Sequence, residues 1–469
     1  MNSLKIEEII KSTAGKLMYG NVDNEIDKIV IDSRDADSSS LFISIIGENQ
    51  DGHKFIKSAY DQGCRNFMIS DASYISKEIY DSNVVIVDNT EIAMGKIAKY
   101  YIQRFDIPVV AVTGSVGKTT TRDMVYSVVS NRFNTLKNEK NLNNQFGVPL
   151  TVFNLDERYK CAIIEMGMTG LGEIQYLADI VRPKIGVISN IGMSHIERLG
   201  NQENIFKAKM EITTFFDENS TLIVNGDDDF LGKLVDNKDK SFVQKKYNIM
   251  SFGFSEKNTL YCSEFETYEN KSTKFIVTTN EGDFQFEIPT VGVHNIYNAM
   301  SAILVGLSLE MDIDEIRAGL LNFIPTENRQ DIIQTKNMTI INDVYNASPD
   351  SMIASLKVLS LYKNRRKVAI LGDCLEMGEF AEGSHRRIGK EAAKKSDVIL
   401  TSGEASKYIG LEAIENGFDS ENVYHFDKKE DLIKNIQQII KNDDVILAKA
   451  SRGMKFEDIV EYLEEVSQC

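Results

Sequence analysis

The stretch 109–124, VVAVTGSVGKTTTRDM, constrains the fold of this 469-residue chain more than any other. An apolar strand-like run enters a turn bounded by Gly114 and Gly117. Lys118, Thr119 and Thr120 then open a helical pattern in which Met124, Val125, Val128 and Val129 fall on one face, able to pack back on a sheet. The turn also carries chemistry. Successive backbone N–H groups across Gly114, Ser115, Val116, Gly117, Lys118, Thr119 and Thr120, ahead of a helix N-terminus, make a cradle for a polyphosphate. Lys118 supplies a mobile cation for the outer phosphates of ATP, and the Thr119 hydroxyl can hold Mg²⁺. The usual spacing G-x-x-x-x-G-K-[ST] would put a glycine at Val112, so this loop is a shortened form.

The remaining chain alternates in the same style. Strand-like runs at 28–31, 41–46, 67–70 and 84–87 interleave with helical stretches at 55–62 and 91–104, and Pro108 punctuates the chain just before the phosphate-loop strand. A second block repeats strand, turn and helix through 109–112, 161–165, 185–191 and 222–225. It continues into a β-rich stretch at 245–289, read as an added antiparallel ribbon, and closes with helical patterns at 295–309 and 314–321. After a break at Pro325, a third block alternates through 338–344, 367–371, 397–400, 422–425 and 445–448. Alternation of this kind predicts doubly wound, mostly parallel sheets with ligand loops at the strand C-terminal ends. The expected organisation is α/β in three domains, 1–106, 107–324 and 325–469, the central one a phosphate-loop ATPase and the last Rossmann-like.

A net charge of −17 disfavours a nucleic-acid surface, although one cleft can still be locally basic. Five scattered cysteines, Cys64, Cys161, Cys262, Cys374 and Cys469, lack metal-ligand spacing and read as reduced thiols. No apolar run is long enough to cross a bilayer, and the N-terminus lacks the apolar core of a signal peptide. A soluble cytoplasmic protein, with no membrane insertion, is expected.

Several polar residues end strands of the central block. Glu165 closes CAIIE, His195 follows GVISNIGMS, and Asn141, Asn143 and Asn144 crowd the loop before GVPL. In an open parallel sheet these ends share one crevice, so Glu165 and His195 can converge on a divalent ion near the γ-phosphate. Lys207 and Lys209, in IFKAKMEI, read on their own as surface charges.

Together GSVGKTTT, NLNNQFGVPLT, IIEMGMTGLGEI, NIGMSHIE with FKAKMEI, GVHNIYNAMSA and NDVYNASPDSM occur in the order found in Mur ligases, and the chain resembles that family over essentially its whole length. IDSRDADSSSLFISIIGENQDGHKFIKSAYDQGC resembles the uridine-nucleotide-binding domain of the later ligases, while ASRGMKFEDIV and YNASPDSM look like the branch that adds D-alanyl-D-alanine. The resemblance implies an ATP-dependent amide-bond ligase acting on UDP-N-acetylmuramoyl-tripeptide through an acyl phosphate, with two Mg²⁺ ions and a monomeric chain.

The resemblance also implies residue roles. Glu165 and His195 match metal ligands and, with Thr119 of the loop and Lys209, make up the expected metal set. Lys209, favoured over Lys207 by its register in A-K-M-E, matches a lysine that becomes a carbamate. Lys118, Glu165, His195 and Lys209 then form the catalytic set. Asn295 resembles the residue that reads adenine, Arg329 and Asp343 an inter-domain arginine and a ribose- or phosphate-side aspartate, and Tyr345 and Asn346 residues beside ATP. Ser33, Arg34 and Asn144 match positions at the UDP-substrate, Ser451 and Arg452 positions near the incoming dipeptide. One departure stands out: a glycine usually precedes the linker arginine, and here Asn328 does. Asn can adopt the left-handed conformation nearly as well. Competing readings are the third-residue amino-acid ligase of the same family, a folylpolyglutamate synthase, and a nucleotide-gated switch.

Overall fold

A computed structural model describes residues 1–236, 247–268 and 272–468. Cys469 and the first residues of the 245–289 stretch, Lys245 and Lys246, lie outside the described residues.

The central sheet has nine strands among the described residues. Its order is Gly282–Ile288, Ser272–Thr279, Leu260–Tyr268, Asn248–Gly253, Thr221–Asn225, Ile185–Ile188, Val109–Thr113, Cys161–Glu165 and Thr135–Lys137. From Leu260–Tyr268 to Thr135–Lys137 all neighbours are parallel; only the hairpins through Ser272–Thr279 and Gly282–Ile288 are antiparallel. The stretch read as an added ribbon is therefore an extension of the central sheet, and its first two strands join in parallel. Alternation identifies a strand but not its partner, because pairing is decided by distant chain segments.

The reason this sheet takes helices on both faces is written in its strands. Val110, Val112, Ile163, Val187 and Ile223 belong to one buried cluster, shared with Met124, Val125 and Val128 of the helix Lys118–Ser130 and with Ile296, Ala299 and Ile303 of Val293–Ser308. Val109, Ala111, Ala162, Ile164 and Val224 face the opposite cluster, with Val148, Ile174, Leu177 and Ile205. A strand buried on both faces reads as continuous apolar sequence, as VVAV and CAII do.

The N-terminal sheet runs Lys16–Tyr19, Asn83–Ile86, Asn66–Ile69, Ser40–Ile43, Lys28–Val30, parallel except at its first pair. The helix Thr90–Ile102, capped by the Asn89 side chain accepting from the Ile92 amide, joins it to the centre. There the buried Tyr101 hydroxyl donates to the Leu155 carbonyl at 2.6 Å and Lys99 pairs with Asp179 at 2.9 Å. The C-terminal sheet, Asp331–Gln334, Thr339–Asn342, Val445–Lys449, Lys367–Gly372, Val398–Ser402, Val423–Phe426, is parallel after its first pair. Between it and the central sheet runs the linker carrying Arg329. There Asn328 sits at φ +60 and Gln330 at φ +56, so asparagine does take the left-handed position next to the arginine. The Asn342 side chain fixes it by donating to Asn328 Oδ1 at 2.8 Å.

Candidate active site

Strand Val109–Thr113 is the point where the central strand order reverses, with Cys161–Glu165 on one side and Ile185–Ile188 on the other. Loops leaving such strands open a crevice at their C-terminal ends. A cavity of about 810 Å³ lies there, lined by Ser115 to Thr120, Asn141, Asn143, Asn144, Glu165 and His195 from the central unit. Asn295 lines it too, as do Arg329 from the linker and Asp343, Tyr345, Asn346, Ser451 and Arg452 from the C-terminal unit.

The loop conformation depends on two glycines. Gly114 has φ +155 and a Cβ there would lie 1.9 Å from Ser189 Oγ; Gly117 has φ +81. The Ser115 and Val116 amides are already engaged, donating to the carbonyl (3.0 Å) and Oδ1 (2.9 Å) of Asn190. The amides of Gly117, Lys118, Thr119 and Thr120 remain for an anion, the last three being first-turn helix donors that have no intrahelical acceptor. Asn190 thus buttresses the loop, a role the sequence did not signal. Gly114 itself is spent on shaping the turn, and Lys118 Nζ rests on the Gly114 carbonyl at 2.9 Å.

Three buried polar atoms on the cavity wall have no hydrogen-bond partner: Ser115 Oγ, His195 Nδ1 and Arg329 Nε. Buried polar groups are nearly always satisfied, so orphans gathered on one wall mark where a polar ligand belongs. Charge agrees. Among the described residues, no carboxylate lies within ion-pair distance of Lys118, Lys209, Arg329 or Arg452, although the chain as a whole is strongly acidic. The guanidinium groups of Arg329 and Arg452 both lie over the Tyr345 ring, at 4.0 and 4.8 Å from its centre.

Glu165 is buried, its Oε1 accepting from Asn143 Nδ2 at 2.8 Å and its Oε2 from Arg122 at 3.3 Å. His195 Nδ1 lies 2.9 Å from Glu376 of the C-terminal unit without hydrogen-bond alignment. Burial, and next Lys118, lower the His195 pKa, with Glu376 opposing. Lys207 is exposed and lies 3.8 Å from Glu203, whereas Lys209 is 1% exposed and its side chain makes no hydrogen bond or ion pair among the described residues. Burial first, and Lys118 second, push the Lys209 ammonium well below its usual range, a shift toward the neutral amine. Lys118 is lowered by burial as well, against the pull of Glu165. Among the described residues no three His, Cys, Asp or Glu side chains form a metal cluster. A divalent ion here would draw on Glu165, the Thr119 hydroxyl and phosphate oxygens, hard oxygen donors that suit Mg²⁺, with His195 beside them once its ring leaves Glu376.

Other expected residues are more committed to the fold. Asn295 Nδ2 donates to the Val291 carbonyl at 2.9 Å and its Oδ1 accepts from Asn298. Asn144 Oδ1 accepts from the Gly147 amide at 2.9 Å. Asp343 is held by Lys449 at 2.6 Å, a buried lysine that sequence reasoning missed, and Ser451 Oγ accepts from the Leu375 amide. Ser33 and Arg34 do not line the cavity: they form a short turn after Lys28–Val30 in the N-terminal unit, where the Arg34 fork rests on Asp32.

With this geometry in hand, the chain can be placed among known proteins. It matches the Mur ligase family catalytic domain over 25–110, the Mur ligase middle domain over 112–306 and the Mur ligase glutamate ligase domain over 328–452. The chain belongs to the Mur ligase family. Within it, the UDP-N-acetylmuramoyl-tripeptide–D-alanyl-D-alanine ligase of Bacillus subtilis is 34% identical, the alignment spanning 98% of this chain and 97% of that protein. A crystal structure of MurF from Acinetobacter baumannii superposes with a TM-score of 0.90 at 30% identity, covering 99% of both chains. MurF from Thermotoga maritima in complex with ADP matches at 0.81 and 25% identity, covering 93% of this chain and 97% of that one.

Proposed function

We propose that this chain is the ATP-dependent ligase that joins D-alanyl-D-alanine to UDP-N-acetylmuramoyl-tripeptide in the cytoplasm, acting as a monomer. The observation that carries the reading is the pair of unpartnered polar atoms, Ser115 Oγ and Arg329 Nε, set with Lys118 between the free amides of the phosphate loop and the C-terminal unit. ATP lies with its outer phosphates on the amides of 117–120 and its adenine toward Asn295. The tripeptide carboxylate attacks the γ-phosphorus, forming an acyl phosphate and ADP. The dipeptide amine then attacks the activated carbonyl; the tetrahedral intermediate expels phosphate, and the amine proton leaves with solvent.

The residues supply positioning and charge rather than covalent chemistry. Lys118 moves from the Gly114 carbonyl to the γ-phosphate, and Arg329 balances charge from the linker. Glu165, His195 and Thr119 are suited to holding Mg²⁺, which supplies further neutralisation of the phosphates. The buried Lys209 amine, shifted toward its neutral form, is suited to adding CO₂ with loss of a proton, giving a carbamate. Arg452 and Ser451 face the incoming dipeptide, and Ser33 and Arg34 take the uridine diphosphate once Arg34 exchanges Asp32 for phosphate oxygens. The separation of the N-terminal, central and C-terminal sheets supports domains at 1–106, 107–324 and 325–469.

The test is phosphate release with each substrate withheld in turn. The reading requires the UDP-tripeptide and D-alanyl-D-alanine together. Release without either would point to a nucleotide-driven switch, release with folate and glutamate to a folate ligase, and release with UDP-dipeptide and a free amino acid to the third-residue ligase.

A further inference from the structure

Arg122 lies one helical turn beyond Lys118, is 2% exposed and does not line the cavity. Its guanidinium nevertheless makes four hydrogen bonds. Nε and NH2 donate to Asp123 Oδ1 at 3.0 and 2.8 Å, and NH1 donates to Glu165 Oε2 at 3.3 Å and to the Lys140 carbonyl at 3.1 Å. Asp123 is in turn fixed by Lys137 Nζ at 2.8 Å and by the Thr326 hydroxyl, from the inter-domain linker, at 2.5 Å.

We propose that Arg122 is a positioning residue that, with Asn143, clamps the Glu165 carboxylate in the orientation that receives the divalent cation. Three features of the cluster support this role. First, the two clamps hold different oxygens: Arg122 on Oε2 and Asn143 on Oε1 restrict rotation of the carboxylate, while each oxygen keeps further acceptor capacity and Glu165 lines the cavity. Second, Arg122 also grips the carbonyl of Lys140, in the loop that carries Asn143, so one guanidinium sets both halves of the clamp. Third, the charges are apportioned. Arg122 and Lys137 balance Asp123 and Glu165, and the two shortest Arg122 contacts go to Asp123, so the Glu165 charge is only lightly engaged and available to a cation. A lysine could supply the charge but not the planar fork that reaches Asp123, Glu165 and a carbonyl together. Ligands held by such outer partners lose roughly 10–100-fold in metal affinity when the partner is removed.

This inference rests on Glu165 as a metal ligand, and the experiment separates the two ideas. Mn²⁺ binding to the full chain with a non-hydrolysable ATP analogue is followed by electron paramagnetic resonance, for the parent, R122K, E165Q and R122K/E165Q. Circular dichroism melting and analogue affinity in EDTA serve as controls for folding and for the phosphate loop. R122K should weaken Mn²⁺ about tenfold, leave metal-free analogue affinity within about twofold, and add nothing on top of E165Q, because coupled sites are non-additive. Arg122→Met should weaken Mn²⁺ further; if it fails to fold, R122K decides. Unchanged Mn²⁺ binding in R122K, with E165Q impaired, overturns the positioning role alone. Equal loss from R122K in both backgrounds also overturns it. Unchanged Mn²⁺ binding in E165Q removes the ligand assignment itself.

Discussion

The two glycines of the phosphate loop should fail to different degrees when replaced by alanine. At Gly117 the nearest neighbour of an added Cβ is Asn298 Oδ1 at 3.2 Å, so the cost is mainly that of φ +81, about 1–2 kcal/mol for a non-glycine residue. At Gly114 the Cβ would lie 1.9 Å from Ser189 Oγ and 3.1 Å from Ser189 Cβ, at φ +155. That backbone region costs about 1–3 kcal/mol. Moving Ser189 also breaks its 2.8 Å hydrogen bond to the Val116 carbonyl, worth about 1 kcal/mol. In the free protein the loop relaxes away from the strain, which must be reimposed to bind phosphate, so both costs appear as lost affinity. Gly117→Ala should weaken ATP binding roughly 5–30-fold, and Gly114→Ala, at about 2–4 kcal/mol, roughly 30–1000-fold. Isothermal titration calorimetry, with circular dichroism to establish folding, measures both. Adding Ser189→Ala to Gly114→Ala should change affinity by less than about threefold, because it removes the hydrogen bond already lost and leaves the backbone strain in place. The reasoning is refuted if Gly114→Ala binds ATP within threefold of the parent, or if Gly117→Ala is the weaker of the two.

Lys118→Ala should keep the melting temperature within a few degrees and abolish phosphate release; residual turnover above about a hundredth of the parent rate would contradict its placement at the γ-phosphate. Lys209→Met, in CO₂-free buffer, should raise stability at neutral pH by about 1–3 kcal/mol, since it removes a cation whose burial no ion pair offsets. The Lys209 pKa is depressed in the folded chain, so folding releases its proton. Parent stability should therefore climb relative to the variant as pH rises toward the unfolded value of 10.5, closing the gap; a gap that widens with pH in thermal melts would reverse the sign. Asn328→Gly should cost only the Asn342 contact, about 1 kcal/mol, whereas Asn328→Val should cost about 2–3 kcal/mol more because φ +60 excludes a β-branched side chain; equal melting temperatures would remove the turn argument.

What the sequence disclosed was periodic or local. The runs VVAV and CAII announced strands covered on both faces because neighbouring residues join opposite clusters. The glycine turn announced itself because its φ angles demand glycine, and Asn328 could be read as a glycine substitute for the same reason. Lys209 was separable from Lys207 only by register against a family, and burial gives that choice its physical basis. Asn190, Lys449, Glu376 and Arg122 stayed hidden. Each works through a partner far along the chain, such as Lys449 on Asp343, and a single polar residue adds nothing to a hydrophobic period. Arg122 and Asp123 sit on the helix that follows the phosphate loop, charged residues that are buried because they satisfy one another and are satisfied by Glu165, Lys137 and Thr326. The parallel pairing of Asn248–Gly253 was invisible for a related reason, since nothing within the strand names its neighbour.

The central claim is that ATP bound at this loop is used to activate a carboxylate. UDP-tripeptide labelled with ¹⁸O in its terminal carboxyl group tests it directly, by mass spectrometry of the phosphate released in complete reactions with D-alanyl-D-alanine. An acyl phosphate carries one carboxylate oxygen into the departing phosphate, so the account predicts one ¹⁸O per phosphate and one ¹⁸O left in the new amide. Phosphate free of label, with the amide retaining its share, would contradict it.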